Sequence, residues 1–170
     1  MQLVLEEGLQ KAEVFDKVRS YISASIRISN MDDNRPWGGF FVIEEEDASV
    51  FIEKFFPHLH IDELQISGKL SPKILLVAPG KRLSWQYHFR RAEIWKLIAG
   101  EAAVVTSDDD EEKQTRNLFP GDIVELRQGE RHRLIGLESW GIVAEIWRHT
   151  ERANPSDEDD IIRLQDDFGR

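Results

Sequence analysis

From residue 73 to residue 150 the chain is a succession of short β-prone runs cut by turn chemistry, and this feature restricts the fold more than any other. Residues 74–78 run into Pro79-Gly80, 94–99 into Gly100-Glu101, and 102–106 into an acidic run at 108–112. Pro120-Gly121-Asp122 then precedes 123–126, Gln128-Gly129-Glu130 precedes 132–137, and Ser139-Trp140-Gly141 precedes 142–147. Nothing between these runs is long enough for a crossover helix, so an antiparallel sandwich or barrel is expected. The acids at 108–112 follow no ligand spacing and read as a solvated hairpin tip.

Helical signals lie earlier. Leu5, Leu9, Ala12, Phe15, Val18, Ile22 and Ile26 recur in steps of three or four, which predicts a helical extension over 1–29 serving as a packing element, a dimer arm or a lid. Asn34-Arg35-Pro36-Trp37-Gly38-Gly39 breaks that period, 40–43 is β-prone, and a second short helix fits 48–56 before Pro57. The acidic tail, 156–170, carries Ile161, Ile162, Leu164 and Phe168 and is expected to dock. With 170 residues, 41% of them apolar, the chain is expected to be a single domain around one core.

Charge and composition exclude several roles. Asp and Glu number 32 against 22 Lys and Arg, a net charge of -10 that repels a phosphate backbone, so nucleic acid is not an expected partner. The absence of cysteine removes disulfides, thiolate metal sites and Cys nucleophiles. No apolar run reaches the roughly 18 residues of a membrane span, and the first residues carry acids where a signal peptide needs bases. The expectation is a cytoplasmic protein with no membrane partner.

One set of side chains suggests chemistry. Gln86 and His88, two apart in a strand-like stretch, leave the same face. Glu93 lies an odd step beyond and joins them only if the chain turns near residues 89–92, while His132 follows the Gly129 turn. An amide, two imidazoles and a carboxylate suit zinc, manganese, iron or nickel, although each residue alone is a weak signal and a lone His at a strand start is more often a hydrogen-bonded structural group. Glu145 interrupts an apolar run from 142 to 147, and a carboxylate so placed is either paired or catalytic. His58, His60 and His149 read as surface or packing residues, and Trp37, Trp85, Trp95, Trp140 and Trp147 as mostly core, with an aromatic wall of a binding pocket the alternative for Trp37 or Trp95.

Gly80, Gln86-Tyr87-His88, Glu93 and Gly100 resemble the first motif of the cupin superfamily, with Gln in place of the usual first His. Gly121, Gly129 and His132 resemble the second, with Arg127 and Gly136 where that motif has Pro and Asn. The resemblance implies an all-β jelly-roll barrel, the double-stranded β-helix, holding one divalent metal on Gln86, His88, Glu93 and His132, zinc first among the candidates. Arg35-Pro36-Trp37-Gly38, the stretch from Pro79 to Ser84, Arg91-Ala92-Glu93 and the ending from Asp159 to Arg170 are similar, more narrowly, to the type II phosphomannose isomerases. In that family the isomerase commonly accompanies a nucleotidyltransferase domain, for which these residues have no counterpart, so isomerase rather than guanylyltransferase chemistry is implied.

The implied activity is aldose–ketose isomerisation of a sugar phosphate, mannose 6-phosphate and fructose 6-phosphate first. A non-catalytic metal-dependent sugar-binding cupin and an isomerase or epimerase of another phosphosugar are the alternatives. Expected catalytic residues are Arg91, Glu145 and Lys73; expected substrate-binding cations are Arg35, Arg91 and Arg170. The partners implied are the phosphorylated sugar and a second copy in a homodimer. The family reads two further histidines after the one matched by His88; here Phe89 and Arg90 stand there, and they are expected to reshape the sugar pocket.

Overall fold

The computed structural model describes residues 2–66 and 68–170 and gathers its strands into one antiparallel sheet. In chain order these are β1 (Ile28–Asp32), β2 (Gly38–Ile43), β3 (Lys73–Val77), β4 (Trp85–Tyr87), β5 (Arg91–Ser107), β6 (Arg116–Leu118), β7 (Ile123–Leu126), β8 (Arg131–His149) and β9 (Ile162–Gln165). They neighbour one another as β1-β2-β3-β8-β4-β9, while β5 pairs with β8, β6 and β7. The helices are α1 (Lys11–Ser23), α2 (Ala48–Phe55) and the short α3 (Ile61–Leu64). No helix among the described residues is long and apolar enough to cross a membrane.

Two pairs of expected strands are each one long strand. Runs 94–99 and 102–106 both belong to β5, and 132–137 and 142–147 both belong to β8, so Gly100-Glu101 and Ser139-Trp140-Gly141 bend the chain instead of ending a strand. Gly100 pairs with Gly141, and the ladder slips on either side of Gly100. At Gly100 φ is +73°, and a Cβ would sit 1.7 Å from the Trp140 carbonyl oxygen. A side chain there would force the strands apart, so glycine permits the close crossing that lets the sheet curl on itself.

Side-chain parity then sorts the core. Along β3, Ile74 and Leu76 join an outer cluster with Ile142, Ala144 and Ile146 of β8, covered by Val14, Phe15, Val18 and Ile22 of α1 and Phe51 and Phe55 of α2. Leu75, Val77, Trp95, Leu97 and Val143 take the opposite parity and fill the barrel interior. Both faces are buried, so this part of the sequence reads as continuous apolar runs. Lys73, Arg91, Glu93 and Glu145 share the interior parity, and each is buried.

The first helix is shorter than the stripe predicts. Gly8 turns the chain at φ +77°, and Glu13 Oε2 accepts the Gln10 N–H at 2.7 Å, which fixes the helix start. Residues from Ile28 leave the helix to pair with β2. The whole stripe from Val14 to Ile26 is consumed against the protein's own sheet. At the other end β9 pairs with β4, yet Ile162 and Leu164 stay 38% and 37% exposed, so backbone pairing rather than burial of those two side chains holds the tail.

Candidate metal centre

His88, Glu93 and His132 come together from three parts of the chain, and their donor atoms all lie within 4.8 Å of one another. The turn expected between His88 and Glu93 is present, because β4 ends at Tyr87 and β5 begins at Arg91. His88 Nε2 is 3.1 Å from Glu93 Oε1, and His132 Nε2 is 3.6 Å from Glu93 Oε2. Donors that share one ion at ~2.0–2.2 Å stand roughly 3–3.5 Å apart, so these separations suit a common metal.

The tautomers agree with that use. His88 Nδ1 faces the Asp160 carbonyl at 2.6 Å and His132 Nδ1 faces the Glu130 carbonyl at 2.9 Å. Each Nδ1 therefore carries the hydrogen, leaving the Nε2 lone pairs aimed at Glu93. His132 Nε2 is buried without a hydrogen-bond partner, an orphan that a metal would satisfy. Burial, opposed by the Glu93 charge and helped by the nearby Arg91 cation, pushes His132 down to about 4, which keeps it neutral as a ligand must be.

Glu93 is positioned from both sides. Arg91 Nε donates to its Oε1 at 2.8 Å and Trp95 Nε1 to its Oε2 at 3.0 Å. Burial alone would raise this carboxyl, but the neighbouring His88 and Arg91 hold it well below the usual range. Gln86, the fourth expected ligand, pairs across the ladder with His132 and lines the same cavity as Glu93, its Oε1 accepting the Ser84 hydroxyl at 2.5 Å.

That cavity holds about 440 Å³ and gathers residues the sequence singles out separately. Arg35, Lys73, Arg91, Arg163 and Arg170 supply cations, Glu93, Glu145, Glu158 and Asp159 acids, and Trp37, Phe40, Trp95 and Trp147 aromatic surface. Glu145 lies between Lys73 and Trp95 in the sheet register, and its Oε1 accepts Trp147 Nε1 at 2.5 Å. Burial, reinforced by the Glu93 charge and opposed by Lys73 and Arg91, pushes Glu145 up to about 8. Lys73 is buried over the Trp147 ring at 4.1 Å and ion-paired with Glu158.

Three placements depart from expectation. Arg91 is bound by the protein's own groups: besides Glu93, it donates to Ser156 Oγ at 2.9 Å, the Asp157 carbonyl at 3.0 Å and His88 Nε2 at 3.2 Å. Most of its donors are thus taken up by the protein's own groups. Phe89 is 56% exposed, against Tyr87, and Arg90 pairs with Asp157, so neither lines the cavity. Sequence reasoning missed Ser156, Asp160 and Arg163. Asp160 accepts the N–H groups of Phe89 and Arg90 at 3.0 and 2.9 Å and Ser156 Oγ at 2.6 Å, fixing the turn that carries His88.

His58 and His60 are exposed, but His149 is buried, its Nε2 3.2 Å from Ser71 Oγ. This is not a nucleophile and its base. His149 Nδ1 accepts the Ser156 N–H at 3.0 Å, so Nε2 carries the hydrogen and cannot take the serine proton.

A curled antiparallel sheet that aims His, Glu and His into its interior defines a cupin. A family model described as mannose-6-phosphate isomerase C-terminal matches residues 44–166, and the chain belongs to that family. It is 34% identical over 118 residues to the alginate biosynthesis protein AlgA of Pseudomonas aeruginosa, covering 69% of this chain and 23% of that protein. To the mannose-1-phosphate guanylyltransferase of Escherichia coli K12 it is 28% identical, with the same coverage. The chain thus spans about a quarter of the length of these relatives (23%). Among solved structures, the oxalate decarboxylase of Lactobacillus farciminis superposes with a TM-score of 0.51 at 17% identity, covering 84% of this chain and 34% of that one. The capsular polysaccharide assembling protein CapF of Staphylococcus aureus gives 0.53 at 10% identity, covering 80% and 34%.

Proposed function

We propose that the chain is a metal-dependent isomerase, with zinc as its ion, that interconverts mannose 6-phosphate and fructose 6-phosphate. The observation that carries this reading is the pair of buried carboxylates on one cavity wall, Glu93 held well below the usual range and Glu145 pushed up to about 8. Two acids driven apart by their surroundings have divided tasks, one as a permanent anion and one as a proton carrier.

A divalent ion held by His88, Glu93 and His132, with Gln86 as a further oxygen donor, would supply the electrophile that offsets negative charge on the sugar oxygens. Glu145 moves the proton. Ionised, it takes the proton from C2, beside the carbonyl; protonated, it returns it to C1, while the hydroxyl proton passes from O2 to the former carbonyl oxygen O1. Burial raises this carboxyl toward neutrality, which keeps both forms accessible for proton transfer. Lys73, its neighbour across the ladder, places a cation where the enediol gathers charge. Trp37 and Trp95 flank the cavity and exclude water from the ring of the sugar.

The test is to incubate metal-loaded protein with each sugar phosphate in deuterated water and follow the sugar protons by NMR. Interconversion with deuterium entering C1 or C2, abolished by a chelator, is expected. Glu145→Gln should lower kcat by roughly a hundredfold or more while leaving KM nearly unchanged. Sugar phosphate that binds without exchange would make the protein a binding module and overturn the reading.

A further inference from the structure

The geometry points to Arg163, flanked by Arg35 and Arg170, as an anchor for a phosphate monoester dianion on the β9 side of the cavity. The inference rests on reading the cavity as a sugar phosphate site, and it assigns the end of that site at which the anion is held.

Register fixes the position. His132 on β8 pairs with Gln86 on β4, and Gln86 pairs in turn with Arg163 on β9, so the three form one row across the sheet. Neighbouring strands are ~4.8 Å apart, which puts the backbone of Arg163 roughly 10 Å from that of the ligand His132. A molecule whose reacting carbons and anionic group lie at opposite ends fits such a row. Gln86 and Arg163 both line the cavity between them.

Pairing fixes the chemistry. Arg170 is held by Asp166 and Arg35 by Asp32, each at 2.8 Å, and Arg91 directs four of its five N–H bonds to Glu93, Ser156, Asp157 and His88. Of the acids nearest this wall, Glu158 is taken by Lys73. Arg163 has no hydrogen bond or ion pair to a carboxylate among the described residues, although the chain carries 32 acids against 22 Lys and Arg. Partial burial and the nearby charges of Arg170 and Arg35 hold its guanidinium below the ordinary value, a like-charge strain that a bound dianion relieves. A planar fork of donors matches phosphate better than it matches a neutral sugar hydroxyl.

The experiment compares wild type with Arg163→Gln, Arg163→Lys and Leu164→Gln. Leu164 is exposed on the same strand and outside the cavity, so its variant reports on damage to β9 alone. Binding of inorganic phosphate and of mannose 6-phosphate is read by phosphorus NMR titration, and metal content reports whether the tail is still docked. Arg163→Gln should weaken both ligands by about tenfold, Arg163→Lys by less, and Leu164→Gln not at all, with metal content unchanged throughout. Unchanged phosphate affinity in Arg163→Gln, or a wild type that binds neither ligand, overturns the anchor. The two readings fail separately. Isomerisation that proceeds with the same KM in Arg163→Gln refutes the anchor and leaves the isomerase, whereas phosphate binding lost in Arg163→Gln without isomerisation by wild type keeps the anchor and refutes the isomerase.

Discussion

Arg91 Nη2 lies 3.2 Å from His88 Nε2, so a guanidinium donates to the lone pair that a metal ion would take. The same side chain rests 3.6 Å over the Trp147 ring and pairs with Glu93, which makes it an internal counter-cation for the metal-free centre. Metal binding must displace that one donor while keeping the Glu93 contact. Arginine and metal therefore compete for His88 but cooperate in holding Glu93 ionised.

Replacing Arg91 by Met separates these effects. Zinc affinity, measured by competition with a chelator, should rise by roughly tenfold because the lone pair is free and Glu93 has no other strong cation. The metal-free variant should melt below metal-free wild type, since a buried carboxylate is left without its partner.

His132→Ala should abolish stoichiometric metal. Elemental analysis is expected to fall from about one ion per chain to near zero, because the one imidazole, the carboxylate and the weak amide donor that remain form a poor site. Wild type should lose stability on chelation, by about 2.7 kcal/mol where the ion had stood at a hundred times its Kd, and the variant should be indifferent to the chelator.

Glu145 gives the metal-free fold a defined pH response. Its folded value of about 8 lies above its ordinary 4.5, so between those pH values the folded chain holds a proton that the unfolded chain has released. Stability then falls as pH rises through that window, by at most about 1.4 kcal/mol per unit, with no contribution below it. Thermal melts of chelator-treated Glu145→Gln and wild type should diverge from pH 5 to pH 8, the variant becoming the more stable.

Asp160→Ala should loosen the centre without touching a ligand. It strands the Phe89 and Arg90 N–H groups and the Ser156 hydroxyl, a loss of about 1–3 kcal/mol in chemical denaturation, and weakens metal affinity by about tenfold through the His88 it steadies. Burial would raise the Asp160 carboxyl, but these hydrogen bonds hold it below its ordinary 3.8. Its contribution is thus complete above that value and disappears as pH falls through the depressed one, so wild type and variant should converge in stability in strong acid.

The sequence made the strands and the three-residue His and Glu group legible because their signals are local: turn dipeptides, parity, and ligands placed at turns. Glu145 was legible too, since a carboxylate amid apolar residues of both parities can only be buried. What escaped depends on pairing between distant segments. Gly100 reads as a turn, and only its crossing with Gly141 shows that β5 continues through it. Phe89 reads as a neighbour of the metal, yet the turn that brings in Glu93 points Phe89 to solvent. Asp160 and Arg163 sit in a tail expected to dock through its apolar residues, and their roles come instead from register with β4 and from the 88–90 turn.

The docking of that tail also has a kinetic consequence. β9 is four residues, all exposed, at the edge of the sheet, so it should open far more often than the barrel does. An opening that spreads from β9 back through residues 156–160 would withdraw the Asp160 carbonyl from His88 and the Ser156 hydroxyl from Arg91, two contacts that orient the centre. A bound ion would therefore leave at a rate governed by opening of this edge of the sheet rather than by rupture of its coordination bonds. Residence time and hydrogen-exchange protection of residues 160–165 would then rise and fall together, while equilibrium affinity followed the ligands themselves.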